Sequence, residues 1–225
     1  MVLSELLKIQ PGVTAVIGGG GKTTLLETLG KELSARGSSV LLCTTTKMYP
    51  YDKIPFVRTG EEIDQKRQEH LLLCAGTPMA ESGKITAPRM SFADLMERFD
   101  YIFVEADGSA QLPLKAHASH EPVVPPEANQ VILVLGASGI DGPICEAAHR
   151  PELYAQKCGT DVADCATPER IARVIHSEKL HTRVFINQVE DPEKAEKARH
   201  LGALLDCSVV MGSLQKRGEY ILCSC

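Results

Sequence analysis

The chain has no tryptophan, and aromatic residues make up only 4% of its 225 positions. That leaves little from which to build the stacking platforms that hold single-stranded nucleic acid. Surplus positive charge is also missing, the formal net charge being -5, so no nucleic-acid partner is expected. Apolar runs are strand-sized, far short of the ~20 residues that span a bilayer. The opening MVLSELLKIQPG lacks a basic start, an apolar run of signal length and an A-x-A cleavage pattern. A cytoplasmic protein with no membrane partner is expected.

Cysteine is plentiful but unpatterned. Cys43, Cys74, Cys145, Cys158, Cys165, Cys207, Cys223 and Cys225 include no C-x-x-C pair, which removes the usual zinc and redox spacings. Core thiols are the expected fate. The tail Cys223-Ser-Cys225 is set apart, because a C-x-C can bind a soft metal or a selenium or sulfur species.

A further absence lies inside the most informative stretch, VIGGGGKTTLLETLG, from Val16 to Gly30. A phosphate-binding loop reads G-x-x-x-x-G-K-[ST], and here Val16 stands where the first glycine belongs. Everything else in the motif is present. Gly18, Gly19, Gly20 and Gly21 are followed by Lys22, Thr23 and Thr24, between the strand TAVIG (14–18) and a helix over 22–35 with Leu25, Leu26, Leu29 and Leu33 on one face. Glycines let backbone N–H groups approach phosphate oxygens, and the helix N-terminus adds partial positive charge. Lys22 would bridge the β- and γ-phosphates and Thr23 would sit on Mg²⁺. A dinucleotide loop would lack the Lys-Thr pair. The shortened spacing G-x-x-G-K-T-T resembles the compact loop of the Mur ligases.

Strands alternate with helices along the rest of the chain. SSVLLCTTT (38–46), YIFVEAD (101–107), QVILVLG (130–136), RVFIN (183–187), CSVVMG (207–212) and YILC (220–223) read as strands. Helices are expected after Ser91, over 151–158 and 168–178, and after Asp191-Pro192. The segment 53–90 is looser and reads as a small β insertion, and 112–126 as a proline-rich loop. This pattern predicts one domain over 1–225, a P-loop NTPase-like three-layer α/β/α fold with a mainly parallel sheet.

Ligands bind beyond the carboxyl ends of strands in such folds. Glu105 and Asp107, two apart, are expected on one side of the strand end, and either fits the Walker B position that holds Mg²⁺ or orients water. Thr44, Thr45 and Thr46 end another strand, with Thr45 a candidate Mg²⁺ ligand. Lys47, Lys115, His149 and Arg150 follow strand ends, where cations clamp an anionic substrate. His117 and His120 read as loop histidines. Asn187-Gln188-Val189-Glu190 is similar to the N-K-x-D signature of GTPases, with Gln for Lys and Glu for Asp, so Asn187 is a candidate contact to the base and the choice between ATP and GTP stays open.

GGGGKTT, TTTKMYP, VEADGSAQLPLKAH, GIDGPICEAAHRPE and VFINQVED, in this order, resemble the YqeC family. The resemblance implies a P-loop accessory factor for selenium-dependent molybdenum hydroxylases, working with their maturation factors. Motifs and resemblance together leave three expected functions: a slow Mg²⁺-dependent NTPase or phosphoryl-transfer or ligase-type enzyme with ATP or GTP; a nucleotide-switched chaperone that docks on the hydroxylase or carries selenium on Cys223 and Cys225; or a small-molecule kinase or Mur-like ligase. In the first, Lys22, Glu105 and Asp107 carry the chemistry.

Overall fold

The computed structural model describes residues 2–216 and 220–223. In chain order, α1 (Leu3–Leu6) precedes β1 (Gly12–Gly18), which leads through the glycine loop into α2 (Lys22–Ser34) and β2 (Val40–Thr44). Then come β3 (Phe56–Val57), α3 (Gly60–Lys66), β4 (Leu72–Ala75), β5 (Thr77–Pro78), β6 (Ile85–Thr86), α4 (Phe92–Met96) and β7 (Tyr101–Glu105). The second half runs β8 (Leu114–Lys115), β9 (Ala128–Gly136), α5 (Ile144–Ala147), β10 (Ala148–His149), α6 (Pro151–Cys158), α7 (Pro168–Glu178), β11 (Arg183–Asn187), α8 (Pro192–Ala203), β12 (Ser208–Met211) and β13 (Ile221–Cys223).

Nine strands form the main sheet in the order β13-β12-β11-β9-β1-β7-β2-β4-β3. All neighbours are parallel except the edge strand β13, antiparallel to β12. The strand carrying the glycine loop is therefore central, between β7 and β9. Register levels the exits of these strands: Val16 pairs with Glu105, Thr44 with Glu105 and Gly18 with Val134. The loops after β1, β2, β7 and β9 consequently open at one carboxyl edge.

Period-two alternation decides which side chain faces which layer. Val16, Leu42, Phe103, Ile132, Val134 and Phe185 pack with Leu25, Leu26 and Leu29 of α2. The opposite face is shared. Ile17, Leu133, Leu135 and Ile186 meet Tyr154, Ile171, Ile175 and Leu201 from α6, α7 and α8, while Leu41, Ile102 and Val104 meet Ile63 and Leu95 from α3 and α4. Helices on both faces complete the α/β/α layering of a P-loop NTPase-like fold.

Helix starts follow local chemistry. The side chains of Ser91, Thr167 and Asp191 accept the backbone N–H of Asp94, Arg170 and Lys194, and Pro168 and Pro192 occupy first-turn positions where no N–H is needed. The expected insertion at 53–90 contracts to the hairpin β5–β6, because β3 and β4 join the main sheet and α3 covers it. Cys43, Cys74 and Cys158 are buried as expected, but Cys145 and Cys165 are exposed. Cys225 lies outside the described residues. No helix among the described residues is long and apolar enough to cross a membrane.

Candidate functional site

The glycine loop is shaped by what surrounds it. Gly18 has φ +96°, and a Cβ there would stand 2.2 Å from the Val134 carbonyl oxygen. Gly21, at φ +120°, caps α2 without a side chain, and its Cβ would meet the Asn187 amide at 2.6 Å. Only glycine satisfies both the left-handed backbone and the crowding. The loop is then tied down, with the Gly19 N–H donating to Val134 O at 2.9 Å and the Gly20 N–H to Leu112 O at 3.0 Å.

Lys22 and Thr23 open the helix and point to different acids. The Thr23 hydroxyl donates to Glu105 Oε2 at 2.7 Å. Lys22 is 4% exposed, and its Nζ donates to the Gly18 carbonyl at 2.7 Å and to Ser109 Oγ at 3.2 Å. It also lies 3.0 Å from Asp107 Oδ1, an ion pair without hydrogen-bond alignment. Strand β7 ends at Glu105, so Asp107 belongs to the following loop and passes beneath the glycines. There its Oδ2 accepts the Gly18 N–H at 2.8 Å.

A buried charge network surrounds Asp107, which is 0% exposed. Lys115 Nζ stands 3.3 Å from Asp107 Oδ2 and 3.0 Å from Glu121 Oε2, and donates to the Gly108 carbonyl. Glu121 also pairs with Arg150. His117 places Nε2 2.7 Å from Asp107 Oδ2 and Nδ1 2.6 Å from Glu178 Oε2. Glu178 further accepts the His117 backbone N–H at 2.8 Å and lies 3.3 Å from Lys157. One arm runs from Asp107 to the start of α6 at Arg150, the other to its last turn at Lys157.

Burial alone would raise every carboxyl here, and the partners decide the outcome. For Asp107, burial is outweighed by the His117 hydrogen bond, Lys22, Lys115 and the Gly18 N–H, which hold it down at about 2. Glu105 goes the other way: burial raises it, and Lys22 and Thr23 only partly offset that. His117 is raised, since its two carboxylates outweigh burial. His149 is lowered by burial and by Lys115 and Arg150.

Several expected ligands have other employment. Asn187 donates to the Gly20 carbonyl at 2.6 Å and accepts the Leu214 N–H at 3.0 Å, so its amide braces the loop instead of facing a base. Thr45 donates to the Val123 carbonyl at 2.6 Å, and Thr44 to the Glu105 carbonyl at 2.8 Å. Lys115 is buried within the network, and Arg150 is turned onto Glu121; His149 is half-buried beside Lys115 in the β8–β10 ladder. Lys47 is exposed and Thr24 lies on the exposed side of α2. Tyr51, Ser109, His117, Glu121 and Glu178 were not anticipated. Tyr51 donates to the Thr23 carbonyl at 3.3 Å.

The donor set fits a magnesium-bound phosphate. A glycine loop, a helix N-terminus without a side-chain cap, a buried lysine and a threonine hydroxyl held by an acid converge at one strand exit. Among the described residues no group of three or more His, Cys, Asp or Glu side chains is arranged to hold a metal. A Mg²⁺ ion there would rest on Thr23, phosphate oxygens and water, as this ion commonly does.

Fold and loop together define a P-loop NTPase-like protein. A family model described as "YqeC protein" matches residues 14–152. "Uncharacterized protein YqeC" of Escherichia coli (strain K12) is 32% identical over 203 residues, covering 83% of this chain and 79% of the relative. The chain belongs to the YqeC family. Among solved structures it is similar to the signal recognition particle 54 kDa protein from Aeropyrum pernix K1 in complex with GDP, with TM-score 0.48 and 16% identity. That match covers 97% of this chain and 48% of the other, so the chain spans about half the archaeal protein's length. Hydrogenase maturation factor HypB from Archaeoglobus fulgidus is similar at TM-score 0.41 and 12% identity, over 96% of this chain and 86% of that one.

Proposed function

We propose that the chain binds a Mg²⁺–nucleoside triphosphate, ATP or GTP, and acts as a slow NTPase or phosphoryl-transfer or ligase-type factor in maturation of selenium-dependent molybdenum hydroxylases. The observation that carries the nucleotide reading is the pairing of Thr23 with Glu105 at the head of α2, with Lys22 buried alongside. The hydroxylase setting rests on membership of the YqeC family.

In this reading the N–H groups of Gly18, Gly19 and Gly20 stay tied to Asp107 and to the Val134 and Leu112 carbonyls, the uncapped α2 N-terminus receives the phosphates, and Lys22 turns up to meet them. Glu105 holds the Thr23 hydroxyl as a donor, which leaves the hydroxyl oxygen's lone pairs free to accept. When bound, Mg²⁺ supplies charge neutralisation on the phosphates. Glu105 also orients water or an acceptor, and its raised proton affinity suits it to take the proton released on attack. Asp107 anchors the loop from below, and Asn187 braces it from the side. Lys47, exposed beyond β2, would meet an anionic acceptor.

The test is thermal stabilisation by Mg-ATP and Mg-GTP in the wild-type chain and in Lys22→Ala. The wild type should shift and the variant should not; an equal shift in both would sink the site assignment. For the setting, hydrolysis of each triphosphate is measured with and without selenide and molybdenum-cofactor intermediates. Rates indifferent to all of them would remove the selenium role.

A further inference from the structure

We propose that Lys115 and His117 are positioning residues that hold the buried Asp107 carboxylate when Lys22 leaves it for a phosphate. The proposal rests on the nucleotide reading above.

An ammonium group has three N–H donors. Those of Lys22 face the Gly18 carbonyl, Ser109 Oγ and Asp107 Oδ1, so the lysine is turned inward, under its own loop. Meeting a phosphate on the outer side requires giving some of these up. The critical one is Asp107, since a carboxylate with no exposure and no counter-charge is strongly unfavourable.

The two oxygens of Asp107 divide the task. Oδ1 faces Lys22 without an aligned hydrogen bond, so that hold is the looser one. Oδ2 is hydrogen-bonded by the Gly18 N–H and by His117 Nε2 at 2.7 Å, and the Lys115 ammonium stands 3.3 Å away as an ion pair. Neither standing partner is free to follow Lys22. Lys115 is fixed by Glu121 and the Gly108 carbonyl, and His117 by Glu178 on its other nitrogen. A ring with both nitrogens on carboxylates carries both protons, so His117 is a cation held in place. Lys22 can exchange carboxylate for phosphate while Asp107 keeps two positive neighbours.

The experiment measures affinity for ATP and GTP without metal, by titration calorimetry on the full chain. Wild type, His117→Gln and Lys115→Met are compared, alone and in an Asp107→Asn background, with melting curves confirming fold. Each single variant should bind about 10- to 100-fold more weakly, the range for losing a hydrogen bond to a charged group. With Asp107 neutral there is no charge left to hold, so in that background the loss should shrink to under about threefold. Unchanged affinity in the folded single variants, or the same loss with Asp107→Asn, would overturn the proposal. Should these fail to fold, Glu178→Gln removes the charge behind His117 without touching the ring; a several-fold loss is expected, and none would overturn it. A wild-type chain that binds neither nucleotide rejects the nucleotide reading and this proposal with it. Binding indifferent to these variants rejects the positioning role alone.

Discussion

Glu105 and Asp107 are two residues apart, both buried, and electrostatically opposite. Asp107 is ringed by Lys22, Lys115, His117 and a backbone N–H and ionises at about 2, whereas Glu105 has a neutral hydroxyl as its direct partner and is raised. Burial costs both; compensation separates them. The acid with permanent counter-charges is suited to holding the loop in place. The acid without them is left with the proton affinity that chemistry uses.

The contrast can be broken most severely at Asp107. Asp107→Asn leaves the cations of the network short of their shared anion, and chemical denaturation should show a loss of about 3 to 5 kcal/mol. Glu105→Gln should leave folding intact yet lower the triphosphate turnover rate about 100-fold, the lower end for removal of a general base. Equal turnover would move catalysis elsewhere. The next effect is acid lability. A carboxyl that ionises at about 2 when folded, against 3.8 ordinarily, adds about 2 kcal/mol above about pH 4 that disappears as pH falls through 2. Melting followed from pH 6 to 2 should show this loss, and a flat profile would contradict the ring of cations. For Glu105 the sign reverses: a raised carboxyl favours the fold most below its unfolded value, and the benefit fades as pH rises through the folded one. Glu105→Gln should accordingly raise the melting temperature by a few degrees at neutral pH. Arg150→Ala should have the smallest effect, under about 1 kcal/mol, because that side chain is 29% exposed and Glu121 keeps Lys115 as a partner.

The fold was legible because its signals are local. A run such as VIG followed by four glycines and Lys-Thr-Thr states strand, loop and helix within one turn of chain, and alternation in QVILVLG assigns each side chain to a face. Thr167-Pro168 and Asp191-Pro192 announce helix starts in two residues. The site was legible only in part. Lys22, Thr23 and Glu105 follow from motif and strand end, and their convergence required only that β1 and β7 be neighbours. The network was not legible, since His117 and Glu178 are 61 residues apart and Asp107 meets Gly18 across 89. In sequence, L-K-A-H inside a proline-rich stretch looks like exposed loop. Strand β8 buries it instead, with Leu114, Lys115, Ala116 and His117 all hidden. Likewise Asn187 ends its strand as a base-reading residue would, and only tertiary packing turns its amide onto Gly20.

The crowding around the glycine loop has a consequence for mutational drift. A methyl group at Gly19 would meet the Leu112 carbonyl oxygen at 2.4 Å, and one at Gly20 the Gly136 nitrogen at 2.3 Å. Each contact is with backbone, of a loop at Leu112 and of the end of β9 at Gly136, which cannot yield by changing rotamer. Gly18, Gly19 and Gly20 are thus closed to substitution on grounds of assembly, and Gly21 by its φ of +120°, before any ligand is considered. A saturation scan that scores only abundance of folded chain should find them intolerant in cells starved of nucleotide as in cells that are not.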